Sequence, residues 1–278
     1  MTGEKNIEDA TYESAETNSR EERRKNWFVA FGLQDVDDLK PSDYAVKLAN
    51  AHISGEMSIN EVEETIRNYY TQKENAQKVK ERQDESDIVS SRIVRILDNN
   101  SFSNNENSLK NIHKILFKGF DNYCHGKYRQ CDIIKAEWVL DNDTVQYCHF
   151  ENIEDDVALA FNKEEHFNYI ETDEKQTVIH IADFISNLWQ IHPFLEGNTR
   201  TTAVFAIKYL RHLGYDIDNT PFEKNAKYFR GALVRANYKN NVLKVNKDIS
   251  FINMFFENIL LGKNNNLQNR TLHIHWTV

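Results

Sequence analysis

Residues that interrupt regular backbone structure are scarce in this chain. It has three prolines, Pro41, Pro193 and Pro221, and nine glycines among 278 residues. Because many-stranded folds need frequent turns, and turns favour glycine and proline, this scarcity favours long helices. Hydrophobic residues make up 40% of the chain and aromatic residues 12%, enough for a folded core. We therefore predict a mainly α-helical fold.

The charge and the cysteines limit the environment and the partners. The formal net charge is −9, whereas a general nucleic-acid binder is basic, so we expect no nucleic-acid partner. No apolar run is long enough to span a bilayer, and the acidic, polar start resembles neither a signal nor a transit peptide, so we expect no membrane partner. Cys124, Cys131 and Cys148 are odd in number and lack metal-ligand spacing, which favours reduced thiols in a cytoplasmic protein.

Helix-capping signals divide the chain. Ser19, Ser42 and Ser58 each precede a helical pattern, and Glu61 completes a capping box with Ser58. We predict a flexible tail over residues 1–20, a small helical domain over 21–76, a helix and polar connector over 77–108, a main domain over 109–262 and a C-terminal tail over 263–278.

One segment of the main domain favours strands. Residues 135–149, KAEWVLDNDTVQYCH, hold two β-prone stretches around Asp141-Asn142-Asp143, a typical turn sequence. We predict a β-hairpin here, with Val145, Gln146 and Tyr147 in its second strand.

The richest chemistry lies in residues 191–202, IHPFLEGNTRTT. An amphipathic helix precedes this segment and a nearly all-apolar helix follows it, while Pro193 must interrupt the first helix. Gly197 permits close approach of a ligand to the backbone. The N–H groups of Asn198 and Thr199 at the start of the second helix, together with the Arg200 guanidinium, suit an anion such as phosphate.

Two more residues of the same loop could act on a phosphate ligand. Glu196 offers an oxygen ligand for Mg²⁺, and His192 can take a proton near neutral pH. Any one of these residues by itself is more often structural or simply solvated. Their clustering in one loop between two buried helices favours phosphoryl or nucleotidyl transfer.

The string HPFLEGNTR resembles the signature of Fic-domain proteins, His-x-Phe-x-(Asp/Glu)-Gly-Asn-Gly-Arg-x-x-Arg. The segments LKNIHKILF (109–117), HGKYR (125–129) and YFRGALVRANY (228–238) are similar to neighbouring parts of that family, so the resemblance covers about residues 105–260. It implies a Fic-fold helical core with a β-hairpin flap. The matching signature positions are His192, Phe194, Glu196, Gly197, Asn198 and Arg200.

The resemblance implies an enzyme that transfers AMP from ATP to a Ser, Thr or Tyr hydroxyl of a target protein. His192 would be the catalytic base, Glu196 would bind Mg²⁺, and Phe194 would anchor the loop. The hairpin would be the target-positioning flap, acting through Val145, Gln146 and Tyr147. The nucleotide-binding residues would be Gly197, Asn198, Thr199 and Arg200, with Arg200 on the β-phosphate. Whether the chain self-associates stays open.

Two departures from the family pattern keep alternatives open. Thr199 replaces the usual glycine, and Ala203 stands where the second arginine, which orients the γ-phosphate in the family, usually stands. The site could instead transfer another nucleotide or a phosphate group, or the domain could be a degenerate binding or regulatory module. The presence of His192 and Glu196 favours an enzyme.

Residues 23–70 are similar to the small antitoxin partner of some Fic toxins, of the VbhA type. Such antitoxins inhibit through a (Ser/Thr)-x-x-x-Glu-(Gly/Asn) motif whose glutamate pairs with the second arginine. Aligned with that motif, Leu33, Asp37 and Asp38 take its defining positions and match it poorly. Because Ala203 removes the arginine as well, we expect Asp37 to be a degenerate inhibitory position. Aspartate is one methylene shorter than glutamate, so we expect its carboxylate to reach the nucleotide site less well.

The same loss suggests how the N-terminal domain is attached. We expect residues 23–70 to dock chiefly through apolar contacts, with Trp27, Phe28 and Phe31 as the candidates, and to stabilise the fold without strongly inhibiting the enzyme.

Overall fold

The computed structural model describes residues 18–72, 82–217 and 220–276, and these ranges are mainly helical, as predicted. Residues 1–17 of the predicted tail and 77–81 of the predicted connector helix lie outside the described residues. The α-helices are α1 (Arg20–Gly32), α2 (Asp43–Ser54), α3 (Ile59–Thr71), α4 (Gln83–Asp98), α5 (Glu106–Phe117), α6 (Ile153–Glu165), α7 (Glu174–Ile191), α8 (Asn198–His212), α9 (Thr220–Lys224), α10 (Ala226–Asn237) and α11 (Ser250–Leu260). Short 3-10 helices cover Leu33–Asp37, Asp121–Tyr123, Trp138–Leu140, Phe150–Asn152, Tyr169–Glu171, Asn269–Leu272 and Ile274–Trp276.

The helix starts predicted from the sequence are confirmed. The Ser19 and Ser58 side chains each accept a hydrogen bond from a backbone N–H of the first turn, and a glutamate returns the bond in both capping boxes. Ser42 caps α2 in the same way. These signals are local, because a cap needs only a short polar side chain beside the first turn.

The predicted β-hairpin over residues 135–149 is not confirmed. The turn itself forms, with positive φ angles of 53° at Asp141 and 68° at Asn142. The residues just before it make one turn of 3-10 helix, and no strand is assigned within the described ranges. Val139 and Leu140 are consecutive and both fully buried, whereas neighbouring side chains of a strand point to opposite faces.

Helices α7 and α8 form the centre of the main domain. Residues 198–210 of α8 are all buried, as the apolar pattern predicted. Helix α8 packs against α5 and α7, and α7 also packs against α6, α10 and α11. The loop between α7 and α8 is therefore held on rigid elements. Within the described ranges, no helix combines the length and apolar character that crossing a lipid bilayer requires.

The N-terminal helices dock through mixed contacts. Helix α1 packs against α4 and α9 with Trp27 fully buried and Phe31 partly buried, but Phe28 stays 39% exposed, so the expectation for Phe28 is wrong. Polar contacts contribute as well, since Asp87 of α4 accepts hydrogen bonds from the Ser42 N–H at 2.8 Å and from a tyrosine of α3.

Part of the predicted C-terminal tail belongs to the core. Leu272 is fully buried, and its carbonyl accepts a hydrogen bond from Arg235 of α10 at 2.7 Å.

Candidate active site

His192 ends α7 in a left-handed conformation, with φ 51° and ψ 56°. Its Nδ1 lies 3.0 Å from the Trp189 carbonyl oxygen. Because a carbonyl only accepts, Nδ1 must carry the proton, and Nε2 keeps its lone pair. The ring is 3% exposed and packs against Tyr147, with 4.1 Å between ring centroids.

The surroundings of His192 favour its neutral form. Burial lowers the pKa of the imidazole well below its usual value, and the positive charge of Lys135 lowers it further. A neutral imidazole with a free Nε2 can accept a proton at pH 7.

Arg129 fixes the backbone around this histidine. It belongs to the HGKYR segment, for which we predicted no function from the sequence. Its side chain donates to the carbonyls of His192 at 2.9 Å, Cys131 at 2.7 Å and Cys148, and its N–H donates to the Pro193 carbonyl at 2.9 Å. The arginine is 3% exposed, so these bonds connect the loop to residues 131–148 without competing water.

Phe194 anchors the next part of the loop. It is buried and stacks on His113, with centroids 3.8 Å apart and planes 7° from parallel. The Asn198 side chain accepts from the Phe194 N–H at 2.9 Å and donates to the Phe194 carbonyl at 2.7 Å. The Asn198 side chain thus closes the loop, which leaves its backbone N–H as the group that can meet a ligand.

His113 of α5 supports the same loop from below. Its Nδ1 accepts the Gly126 N–H at 2.8 Å, so its Nε2 carries the proton and donates to the Glu196 carbonyl at 3.0 Å. Burial lowers the pKa of His113 to about 3, although the hydrogen bond to the Glu196 carbonyl acts in the opposite direction. His113 is therefore a neutral structural histidine. Sequence patterns alone could not distinguish it from a functional histidine.

This arrangement predicts a pH-dependent stability. The unfolded chain takes up a proton on His113 below its ordinary pKa of about 6.5, but the folded protein does not do so until about pH 3. The free energy of unfolding should fall by about 2 kcal/mol through this group alone between pH 7 and pH 5. We expect the His113→Gln variant to be less stable at pH 7 but to lose correspondingly less between the two pH values in urea titrations. His166→Gln, at an exposed histidine, should keep the parent pH dependence; an unchanged dependence in His113→Gln would contradict the assignment.

The start of α8 is shaped for a close approach. Gly197 has φ 75°, and a Cβ at this position would overlap the ring of Phe117. No side chain caps α8, so its first N–H groups are not used by a capping residue. The Thr199 hydroxyl accepts the indole N–H of the fully buried Trp189 at 3.0 Å. This bond gives a local reason for threonine where the family pattern has glycine.

Glu196 is the carboxylate of the loop and lies at its exposed edge. Its side chain is 49% exposed, and its Oε2 is 2.6 Å from the Lys135 ammonium nitrogen. Within the described ranges, no group of three or more His, Cys, Asp or Glu residues could hold a metal ion. One accessible carboxylate fits a Mg²⁺ ion that takes its other ligands from phosphate oxygens and water.

Arg200 is buried in a cluster of polar side chains. It is 1% exposed and stacks over Phe117, with 5.0 Å from the guanidinium carbon to the ring centroid. Its Nη2 lies 2.9 Å from Asp37 Oδ2 and 2.6 Å from Glu85 Oε1. Its Nη1 donates to Gln34 Oε1 at 3.0 Å. Among the described residues its Nε has no hydrogen-bond partner, so this guanidinium retains a donor.

Asp37 is better placed than the sequence suggested. With alanine at position 203, we expected Asp37 to have no arginine to pair with, and this expectation is wrong. The 3-10 helix Leu33–Asp37 lies against α8 and α10, so the short side chain reaches Arg200 at 2.9 Å and Arg230 at 3.2 Å. Asp37 thus pairs with two arginines, neither of which is at position 203.

The residues predicted for the flap lie beside the site. Val145 and Tyr147 are buried, whereas Gln146 is exposed and its carbonyl accepts a hydrogen bond from Gln190 at 2.7 Å. Tyr147 covers the His192 ring. These positions are therefore close to the candidate base, although this backbone edge is partly occupied.

Comparison with known proteins agrees with the geometry. The sequence profile of the Fic/DOC family matches residues 103–210. Protein adenylyltransferase VbhT of Bartonella schoenbuchensis is 30% identical over 113 residues, which is 40% of this chain and 22% of that protein. Probable protein adenylyltransferase y4lH of Sinorhizobium fredii is 40% identical over 53 residues, which is 19% of this chain and 27% of that protein. The chain thus spans about a quarter of the length of these two relatives. Residues 103–210, which carry the loop from His192 to Arg200, form a Fic/DOC domain.

Proposed function

We propose that this chain is a Fic enzyme that transfers AMP from ATP to a hydroxyl side chain of a target protein. The observation that carries the proposal is a neutral, backbone-held His192 in the same short loop as an uncapped helix start and an accessible carboxylate. The names of the two relatives, both protein adenylyltransferases, support this reaction over phosphate transfer. A degenerate binding module would have no need for a neutral histidine with a free Nε2.

The reaction assigns one role to each group. His192 Nε2 takes the proton from the target hydroxyl, whose oxygen attacks the α-phosphorus of ATP while the bond to the departing pyrophosphate breaks. The first N–H groups of α8, at Asn198 and Thr199, and the Arg200 guanidinium would stabilise the negative charge on the phosphates. Glu196 would hold Mg²⁺ after exchanging its contact with Lys135. The ion would neutralise phosphate charge when bound.

We also propose that the target lies along residues 145–147. The support is their proximity to His192 through the Tyr147 ring. Because the imidazole is only 3% exposed, a target side chain must displace part of this cover to reach Nε2. Backbone groups of these residues that are not already paired would bind an extended target segment by main-chain hydrogen bonds, largely independently of its sequence.

The N-terminal domain, residues 21–76, is proposed as an antitoxin-like regulator of the same site. Its Asp37 carboxylate already contacts Arg200, which the reaction needs for phosphate. Arg200 must be released from the Asp37 carboxylate before ATP can bind productively.

A labelling experiment tests the proposed reaction. Each nucleoside triphosphate, labelled either at the α- or at the γ-phosphate, is incubated with Mg²⁺, cell lysate and the Asp37→Asn protein, and the proteins are separated on a gel. AMP transfer requires label from α-labelled ATP and none from γ-labelled ATP. Label from the γ-position would indicate phosphate transfer. Stronger labelling from a triphosphate with another base would show that the enzyme uses a nucleotide other than ATP. No protein label from any nucleotide would refute the proposed function.

Replacement of Glu196 by glutamine should raise the Mg²⁺ concentration needed for half-maximal labelling by about tenfold. The substitution keeps the shape of the side chain but removes the charge that attracts the ion. Glu165→Gln, at an exposed carboxylate at the end of α6, is the matched control and should leave this concentration unchanged. A Glu196→Gln protein with the parent Mg²⁺ titration curve would contradict the metal assignment.

A further inference from the structure

Arg230 of α10 and Arg200 of α8 hold one carboxylate between them. Arg230 Nη1 is 3.2 Å from Asp37 Oδ1, and Arg200 Nη2 is 2.9 Å from Asp37 Oδ2. Each oxygen of the anion therefore has its own guanidinium group, supplied by a different helix. Two oxygens on one central atom, held by two arginines, is also how a phosphate is commonly bound.

Arg230 is held in position independently of Asp37. Its Nε donates to Glu137 Oε2 at 3.1 Å and its Nη2 donates to Glu137 Oε1 at 3.0 Å, a two-point contact to a carboxylate that is 1% exposed. Nη1 is the remaining nitrogen, and it faces Asp37 and the Val36 carbonyl. A guanidinium fixed in this way loses little side-chain entropy when a ligand binds.

Space for the rest of a ligand lies next to Arg230. A cavity of about 470 Å³ is lined by this arginine, by Glu137 and by Asn142. Trp138, 42% exposed, contributes an aromatic surface to the same cavity.

The position at which this chain lacks an arginine of the Fic signature lies on α8. Position 203, one turn after Arg200, is a fully buried alanine with no group for a phosphate. We propose that Arg230 binds the outer phosphates of the nucleoside triphosphate, and so supplies from α10 the second positive charge that position 203 lacks. Asp37 holds the place of that phosphate until the nucleotide binds. The proposal rests on the proposed function, since it assigns a substrate contact in the same site.

Binding measurements separate this proposal from the transfer reaction. In the full chain carrying Asp37→Asn, calorimetry compares ATP, AMP and inorganic triphosphate with and without Arg230→Gln. One charge-assisted contact is worth about tenfold in affinity. We expect Arg230→Gln to weaken ATP and triphosphate by about that factor and AMP by less than about twofold.

A second pair of variants guards against misfolding, because Arg230→Gln leaves the buried Glu137 carboxylate without its arginine. Glu137→Gln is compared with Glu137→Gln plus Arg230→Gln, so that no uncompensated charge is buried. The same loss for triphosphates within this pair supports the proposal, even if no protein is ever labelled. The proposal would be overturned if ATP and AMP lost affinity equally, or if neither pair of variants showed a loss of affinity. It would also be overturned if the Asp37→Asn protein did not bind triphosphate.

Discussion

Replacement of His192 by alanine should lower the rate of target labelling by about 100- to 10,000-fold, the usual contribution of a general base. The reason is the protonation of the imidazole. Its Nδ1–H donates a hydrogen bond to the Trp189 carbonyl, so the unprotonated Nε2 can accept the proton of the target hydroxyl. Binding of ATP should change by less than about twofold, because no contact assigned to the phosphates comes from this side chain. Labelling is measured under single-turnover conditions and binding by calorimetry, both in the Asp37→Asn protein.

The pH profile offers a check on the same residue. Burial and the charge of Lys135 lower the pKa of His192, so the base should remain neutral and active at a pH where a free imidazole is largely protonated. His166→Ala, at an exposed histidine, should label at the parent rate. A His192→Ala protein that labels targets at that rate would refute the role of the base.

Replacement of Asp37 by asparagine should raise both ATP affinity and the labelling rate by about 10- to 100-fold. The carboxylate and a phosphate compete for the same two guanidinium groups, and an intramolecular competitor reduces apparent affinity in proportion to the time it occupies the site. This result would differ from the sequence-based expectation of weak inhibition, because the contacts to Arg200 and Arg230 were not foreseeable from position 203.

The fold should tolerate this change. Arg200 keeps Glu85 at 2.6 Å, and Arg230 keeps Glu137 at 3.0 Å, so neither guanidinium becomes an unpaired buried charge. The matched control is Asp35→Asn in the same segment, whose carboxylate lies 4.0 Å from the Lys227 ammonium nitrogen, pairs with neither arginine and does not line the cavity beside Arg230. We expect this control to change activity by less than about twofold. Equal activity of the two variants would show that Asp37 does not compete with the nucleotide.

The sequence by itself determined the local framework of the molecule. The caps at Ser19, Ser42 and Ser58, the end of α7 before Pro193 and the burial of α8 all depend on residues within one or two turns of each other. The motif from His192 to Arg200 was equally readable, because its chemistry lies in nine consecutive residues. The turn at residues 141–142 also formed as its sequence predicted, although the strands around it did not.

Only the tertiary structure decided what these groups contact. Asp37 and Arg230 are 193 residues apart in sequence, and Lys135 and Glu196 are 61 apart. No periodicity or spacing encodes such pairs, because they depend on how helices pack and on which side chains the packing leaves unpaired. The same packing turned Val139 and Leu140 inward together, where a strand would have separated them. The sequence alone could therefore identify the loop and its residues, but whether Arg200 is free or occupied was decided by the packing of the N-terminal helices against α8 and α10.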